Sequence, residues 1–266
     1  MKNYPIGIFD SGIGGLTVAN AIKKVLPNEN IIYFGDTEHL PYGEKSAAAI
    51  QNYSAKIIKF LITKKCKMII VACNSASSVA WKNIKKISNK TPILNVIDPI
   101  IKKIETNYTK CNIGVIGTKA TIESKVYEIK IKNISPNINV SSLSTPLLAP
   151  MIEEGFINEK ISNTVITNYL SEKKLKDISH LILACTHYPL IQNEIIKHYK
   201  SNVKVIDSSY IIAEYVFKTL EKTKLLNDQK KTEHYFYVSN YTKSFEKSAK
   251  FFFKETIKLE EIKLFR

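Results

Sequence analysis

The chain opens on a short apolar run, Ile6-Gly7-Ile8-Phe9-Asp10, which breaks at Ser11-Gly12-Ile13-Gly14-Gly15. Helix-spaced apolar positions follow from Leu16 to Leu26. That order predicts a strand, a tight loop and a helix. Residues 30–34 form a second apolar run before the polar turn Gly35-Asp36-Thr37. Over 46–63, Ile50, Tyr53, Ile57, Ile58, Leu61 and Ile62 fall on one helical stripe. Met68-Ile69-Ile70-Val71-Ala72 is continuously apolar and stops at Cys73, with a helix expected from about Ser75. Strands apolar on both faces and alternating with helices imply an α/β fold with mainly parallel sheets.

The pattern then restarts. Ile113-Gly114-Val115-Ile116-Gly117-Thr118 aligns with the opening segment, Gly114 against Gly7. Leu181-Ile182-Leu183-Ala184-Cys185-Thr186-His187 parallels the run from Ile69 to Ser75, at nearly the same offset. Two segments repeating together predict two similar doubly wound units. Pro92 and Asp98-Pro99 mark the crossing between them. Residues 233–239 read as a further strand and 241–258 as a helix, able to complete either unit. No low-complexity linker separates the halves, so they are expected to pack together.

At 266 residues, 44% apolar and 24% charged, the chain fits one large or two small globular domains. It does not have the composition of a disordered or fibrous protein. No apolar run approaches the ~20 residues that cross a bilayer, and the N-terminus lacks a signal-peptide pattern. Four cysteines are too few for a disulfide framework. A soluble, cytoplasmic protein without a membrane partner is expected. The net charge of +15 raises the question of nucleic acid, but Arg266 is the only arginine and the lysines are dispersed among Ile and Asn. Base readout leans on the arginine fork, so the charge is read as a solvated surface and no nucleic-acid partner is expected. A homodimer is compatible with the sequence. Any small anion bound inside must be held without arginine.

The two cysteine segments carry the chemistry. In a doubly wound sheet, ligands sit beyond the carboxyl ends of the strands, so Cys73 and Cys185 fall at the functional edge, one per unit. Units facing each other would bring the two sulfurs to a shared ligand from opposite sides. Inverting a stereocentre needs that arrangement: one group removes a proton from carbon and another returns one to the opposite face. A thiol, with a reference pKa near 8.5, can be tuned to either task. A lone buried cysteine is usually core; the matched repetition argues otherwise. Cys66 and Cys111 show no paired ligand spacing, so no metal site is expected.

Asp10-Ser11 and Thr118 end the matching first strands and should line the same cleft. Asp10 could contact an ammonium group, orient a thiol, or cap the following helix. Ser11, Asn74, Ser75, Thr118, Thr121 and Thr186 supply neutral donors for carboxylates, with backbone N–H groups near Gly12. His187 lies two residues past Cys185, and Glu153 is a candidate for tuning that second thiol. Gly12-Ile13-Gly14-Gly15 does not make a dinucleotide fingerprint, because the third glycine position holds Thr17. No cofactor is expected.

Four motifs in order give a resemblance. Ile8-Phe9-Asp10-Ser11-Gly12-Ile13-Gly14-Gly15-Leu16-Thr17-Val18, Phe34-Gly35-Asp36-Thr37 with Leu40-Pro41-Tyr42-Gly43, Ala72-Cys73-Asn74-Ser75-Ala76-Ser77, and Leu183-Ala184-Cys185-Thr186-His187-Tyr188-Pro189-Leu190 together resemble the glutamate racemases. The resemblance implies cofactor-independent interconversion of L- and D-glutamate, supplying D-glutamate for peptidoglycan. It implies two α/β domains, 1–97 with 209–266 and 98–208, with the site in the cleft between them. It makes Cys73 and Cys185 the opposed thiols, the former acting on D- and the latter on L-glutamate. Asp10, His187 and Glu153 would assist them. Asp10, Ser11, Tyr42, Gly43, Asn74, Ser75, Thr186 and His187 match substrate contacts, and Thr118 and Thr121 match positions that hold a carboxylate. Ser75 departs from the usual threonine but keeps the hydroxyl. Two other readings remain: an aspartate-type racemase of the same superfamily, and a basic protein that binds nucleic acid or gyrase. Gyrase inhibition in this family usually uses an N-terminal extension, and here Asp10 comes too early to leave room for one.

Overall fold

The computed structural model describes residues 1–88, 90–157, 159–229 and 231–265, so Arg266 lies outside the described residues. Among the described residues, ten strands occur in the order β1 (Ile6–Asp10), β2 (Ile31–Gly35), β3 (Met68–Val71), β4 (Ile93–Asn95), β5 (Asn112–Gly117), β6 (Asn139–Ser144), β7 (His180–Ala184), β8 (Lys204–Ile206), β9 (His234–Val238) and β10 (Leu259–Glu261). They form a six-stranded sheet, β10-β9-β2-β1-β3-β4, and a four-stranded sheet, β6-β5-β7-β8. Every strand pair is parallel.

The order β2-β1-β3-β4 recurs as β6-β5-β7-β8. The repeat legible in the sequence is therefore a repeat of topology, with Cys73 just beyond β3 and Cys185 just beyond β7. β1, β2 and β3 are buried along their whole length, as parallel strands covered on both faces must be.

The tail joins the first sheet. β9 pairs with β2, Ile31 opposite His234, and β10 pairs with β9. The last helix spans Lys243–Phe253, not 241–258. Thr242 caps its start, accepting from the Phe245 N–H at 3.1 Å. Lys254 ends it in a left-handed conformation, φ 66°, leaving residues 259–261 free to pair as β10. Nothing in the apolar spacing signals that stop, because lysine, not glycine, occupies the left-handed position.

The halves share one core. A single buried cluster contains Ile8, Leu16 and Ile22 from the first half, Leu148, Leu183 and Tyr188 from the second, and Ile212, Val216 and Phe252 from the tail. Far from the cysteines, Lys67 and Glu29 form a buried ion pair with Nζ 2.5 Å from Oε2. Lys67 also donates to the carbonyls of Lys2 and Leu225, and Glu29 accepts from the Asn227 N–H. This network ties the segment leading into β9 to the base of the first sheet. Among the described residues, no helix is long and apolar enough to cross a membrane.

Breaking a buried pair leaves one charge stranded, at a cost of about 3–5 kcal/mol. Lys67→Met is therefore expected to lower the urea midpoint sharply, and adding Glu29→Gln should recover part of the loss. An unchanged midpoint in the single variant would contradict this account of the tail's attachment.

Candidate active site

The carboxyl ends of β1 and β3 build one wall. Asp10 is the last residue of β1, fully buried, and its Oδ2 accepts from the Gly12 N–H at 3.1 Å. It is not the helix cap: Gly15 holds that position, with no capping side chain. Cys73 sits at the N-cap of the helix Asn74–Val79, its Sγ 3.5 Å from both the Ala76 N–H and the Ser11 Oγ. The thiol is thus fixed at a helix start, beside the loop that begins at Ser11.

The second wall follows β7. Cys185 Sγ lies 3.5 Å from His187 Nδ1, and His187 Nε2 lies 2.7 Å from Glu153 Oε1. All three come from the second half, and the ring is held edge-on against Phe252 of the last helix, 5.4 Å between centroids. The two walls meet directly. Thr186 Oγ1 approaches Asp10 Oδ1 at 3.4 Å, and Thr17 Oγ1 donates to the Thr186 carbonyl at 2.9 Å. Gly14 allows the approach, since a Cβ there would lie 2.4 Å from His187 Cε1 and 2.6 Å from Thr186 Oγ1.

Hydroxyls and an amide line the end of the cleft near Cys73. Ser75 Oγ is 2.8 Å from Thr118 Oγ1, which is 3.1 Å from Thr121 Oγ1. Thr118 also caps the helix Lys119–Glu123. Gly43 presses against Thr118, where a Cβ would lie 2.7 Å from the threonine Cβ. Asn74 Oδ1 accepts from the Tyr127 hydroxyl at 2.7 Å, while its buried Nδ2 has no hydrogen-bond partner among the described residues.

Residues 16–216 match the Asp/Glu/Hydantoin racemase family. A glutamate racemase from Streptococcus thermophilus is 43% identical over 209 residues, covering 78% of this chain and 76% of its own. The crystal structure of glutamate racemase from Francisella tularensis in complex with D-glutamate superposes with a TM-score of 0.94. It is 41% identical and covers 100% of this chain and 99% of that one. An aspartate racemase from Picrophilus torridus shares the fold at a TM-score of 0.58 and 23% identity, over 84% of this chain and 99% of its own. The chain belongs to the Asp/Glu/Hydantoin racemase family. Within it, the chain stands with the glutamate racemases and is an isomerase.

The structure gathers the thirteen residues that sequence reasoning singled out around the junction of the two sheets, with one change of emphasis. The Tyr42 hydroxyl is occupied, donating to Asp36 Oδ2 at 2.6 Å. Asp36 itself was missed as a site residue. It is fully buried and also accepts from Ser239 Oγ at 2.7 Å, with His39 Nδ1 2.9 Å away. It thereby secures the Tyr42-Gly43 loop. Its signal was present: a carboxylate immediately after a strand, at the same sheet edge as Asp10.

Burial sets the charges around the two thiols. Desolvation pushes the Cys73 thiol up to about 12, reinforced by the neighbouring Asp10 charge and only partly offset by the Ala76 N–H and Ser11. Asp10 is itself raised by burial, against the pull of the His187 charge and the N–H groups of Gly15 and Gly12. For His187, burial acts downward, but the charge and hydrogen bond of Cys185, together with Glu153, lift it well above its ordinary value. At neutral pH Cys73 therefore rests as a thiol, while the Cys185 and Glu153 contacts favour the protonated form of His187.

Alkylation of Cys73 in a Cys185→Ser background, followed on its own peptide by mass spectrometry, should keep accelerating past pH 9. Adding Asp10→Asn should shift that rise to lower pH. A plateau near pH 8.5–9 in the Cys185→Ser protein would contradict the burial argument.

Proposed function

We propose that the protein interconverts L- and D-glutamate without a cofactor, using Cys73 and Cys185 as an opposed acid/base pair. One observation carries this reading: two equivalent strand-end thiols from two repeated halves are buried at one junction, each with its own ionisable neighbour. Asp10 serves the Cys73 side and the His187–Glu153 pair serves the Cys185 side. On this reading Cys73 takes the α-proton of D-glutamate and Cys185 that of L-glutamate. The opposite thiol then protonates the other face of the carbon.

The substrate's carboxylates meet neutral donors: the Ser11, Ser75, Thr118, Thr121 and Thr186 hydroxyls, the Asn74 amide, and the main chain at Tyr42-Gly43. An amino-acid α-hydrogen is a poor acid. Donors already aimed at the carboxylate, in a water-poor cleft, lower the barrier because they need not reorganise as charge develops. Thiols that must stay reduced suit a cytoplasmic enzyme. D-glutamate made there would supply peptidoglycan synthesis, and so cell-wall formation and cell shape. The glutamate racemases among the relatives favour glutamate over aspartate as substrate.

Circular dichroism of L-glutamate should decay to zero with the purified protein, while L-aspartate should hold its signal. Decay with aspartate alone would overturn the substrate. Cys73→Ser and Cys185→Ser should each lose about 10²–10⁴-fold in racemisation, the range of one general acid or base. Each should still exchange the α-proton of one enantiomer only. Full activity in either variant would remove the two-thiol mechanism.

A further inference from the structure

The orphaned amide of Asn74 points to a residue that the sequence did not suggest. Asn74 and Tyr127 are both 3% exposed. Tyr127 lies on the helix Val126–Ile134 of the second half, in a buried cluster that also holds Ile97, Ile100, Val115 and Ile131. Its hydroxyl reaches across to the first half and donates to Asn74 Oδ1 at 2.7 Å. Asn74 follows Cys73 directly, so this amide stands one residue from a thiol at the start of the same helix.

We propose that Tyr127 is a positioning residue: its hydroxyl holds the Asn74 amide in the one orientation that presents Nδ2 as a donor to a substrate carboxylate. Two physical costs act in the same direction. A buried O–H needs an acceptor, and among the described residues Asn74 Oδ1 is the one Tyr127 has. Flipping the amide would bring an N–H₂ to the phenol and turn Oδ1 toward the substrate, where two acceptors would face each other. Burial, the Cys185 charge and Asp98 all raise the phenol above its ordinary value, so it remains a donor throughout the working pH range. The hydrogen bond spans the two halves.

The inference rests on the glutamate reading above, and the test separates the two. Wild-type protein that fails to racemise glutamate overturns that reading and this one with it. If wild type is active, Tyr127→Phe, which keeps the ring and removes one oxygen, should raise KM for both enantiomers about tenfold, the worth of one hydrogen bond. Its kcat should fall by a smaller factor than KM rises, because the hydroxyls that remain in place still face the carboxylate as charge develops. Asn74→Ala should raise KM by a similar factor, and the double variant should be no worse than Asn74→Ala, since Tyr127 acts through Asn74. A structural role alone would lower the melting temperature without the KM-against-kcat split. Unchanged KM in folded Tyr127→Phe, or multiplicative effects in the double variant, would overturn the proposal. Should Tyr127→Phe not fold, Asn74→Asp decides: it keeps the acceptor for Tyr127 but sets a carboxylate against the substrate. Its KM should exceed that of Asn74→Ala, and a wild-type KM would overturn the proposal.

Discussion

The site depends on one close approach, that of the Ser11–Gly15 loop to the turn after β7. Gly14 leaves no room for a side chain between itself and His187 and Thr186. Because the loop reaches that turn, Asp10 from the first half and Thr186 from the second come within 3.4 Å, and both strand-end thiols share one buried junction. The common core of Leu16, Leu183 and Phe252 holds the halves in that relation. Phe252 also braces the His187 ring, and Ser239 donates to Asp36, so the tail supports both sides of the junction.

Burial at that junction governs the chemistry. Removing water raises the Cys73 thiol and Asp10 together, so Cys73 rests protonated and its thiolate, once formed, is a strong base. On the other side His187 is held between Cys185 and Glu153, contacts that favour its protonated form. The two sides are equivalent in topology and unlike in electrostatics. A substrate that carries both an ammonium group and carboxylates would change this balance on entering.

Much of this was legible in the sequence because parallel strands buried on both faces leave unbroken apolar runs. β1, β3, β5 and β7 could be read directly, and the repeated Ala-Cys ending gave both thiols. The tail could not be assigned to either half from its own pattern; its resemblance placed it with the first, and the pairing of β9 with β2 does the same. The edge strands left little trace. β6 is Asn-Val-Ser-Ser-Leu-Ser and only half-buried over most of its length, β8 has three residues, and β10 is Leu-Glu-Glu. Short or polar edge strands carry no period that propensity can detect. Asp36 and Tyr127 were missed for another reason. Each acts on a site residue, Tyr42 or Asn74, through a contact that exists only after folding. Tyr127 in particular reads as one more apolar residue on a helix.

The central claim is that two different groups serve the two faces of one carbon. Racemisation of L-glutamate in D2O, stopped at a few per cent conversion, tests it directly. Two bases predict D-glutamate that is fully deuterated at the α-carbon, with the recovered L-glutamate still protiated. Substantial protium in the new D-glutamate, carried across by a single base, would contradict the account.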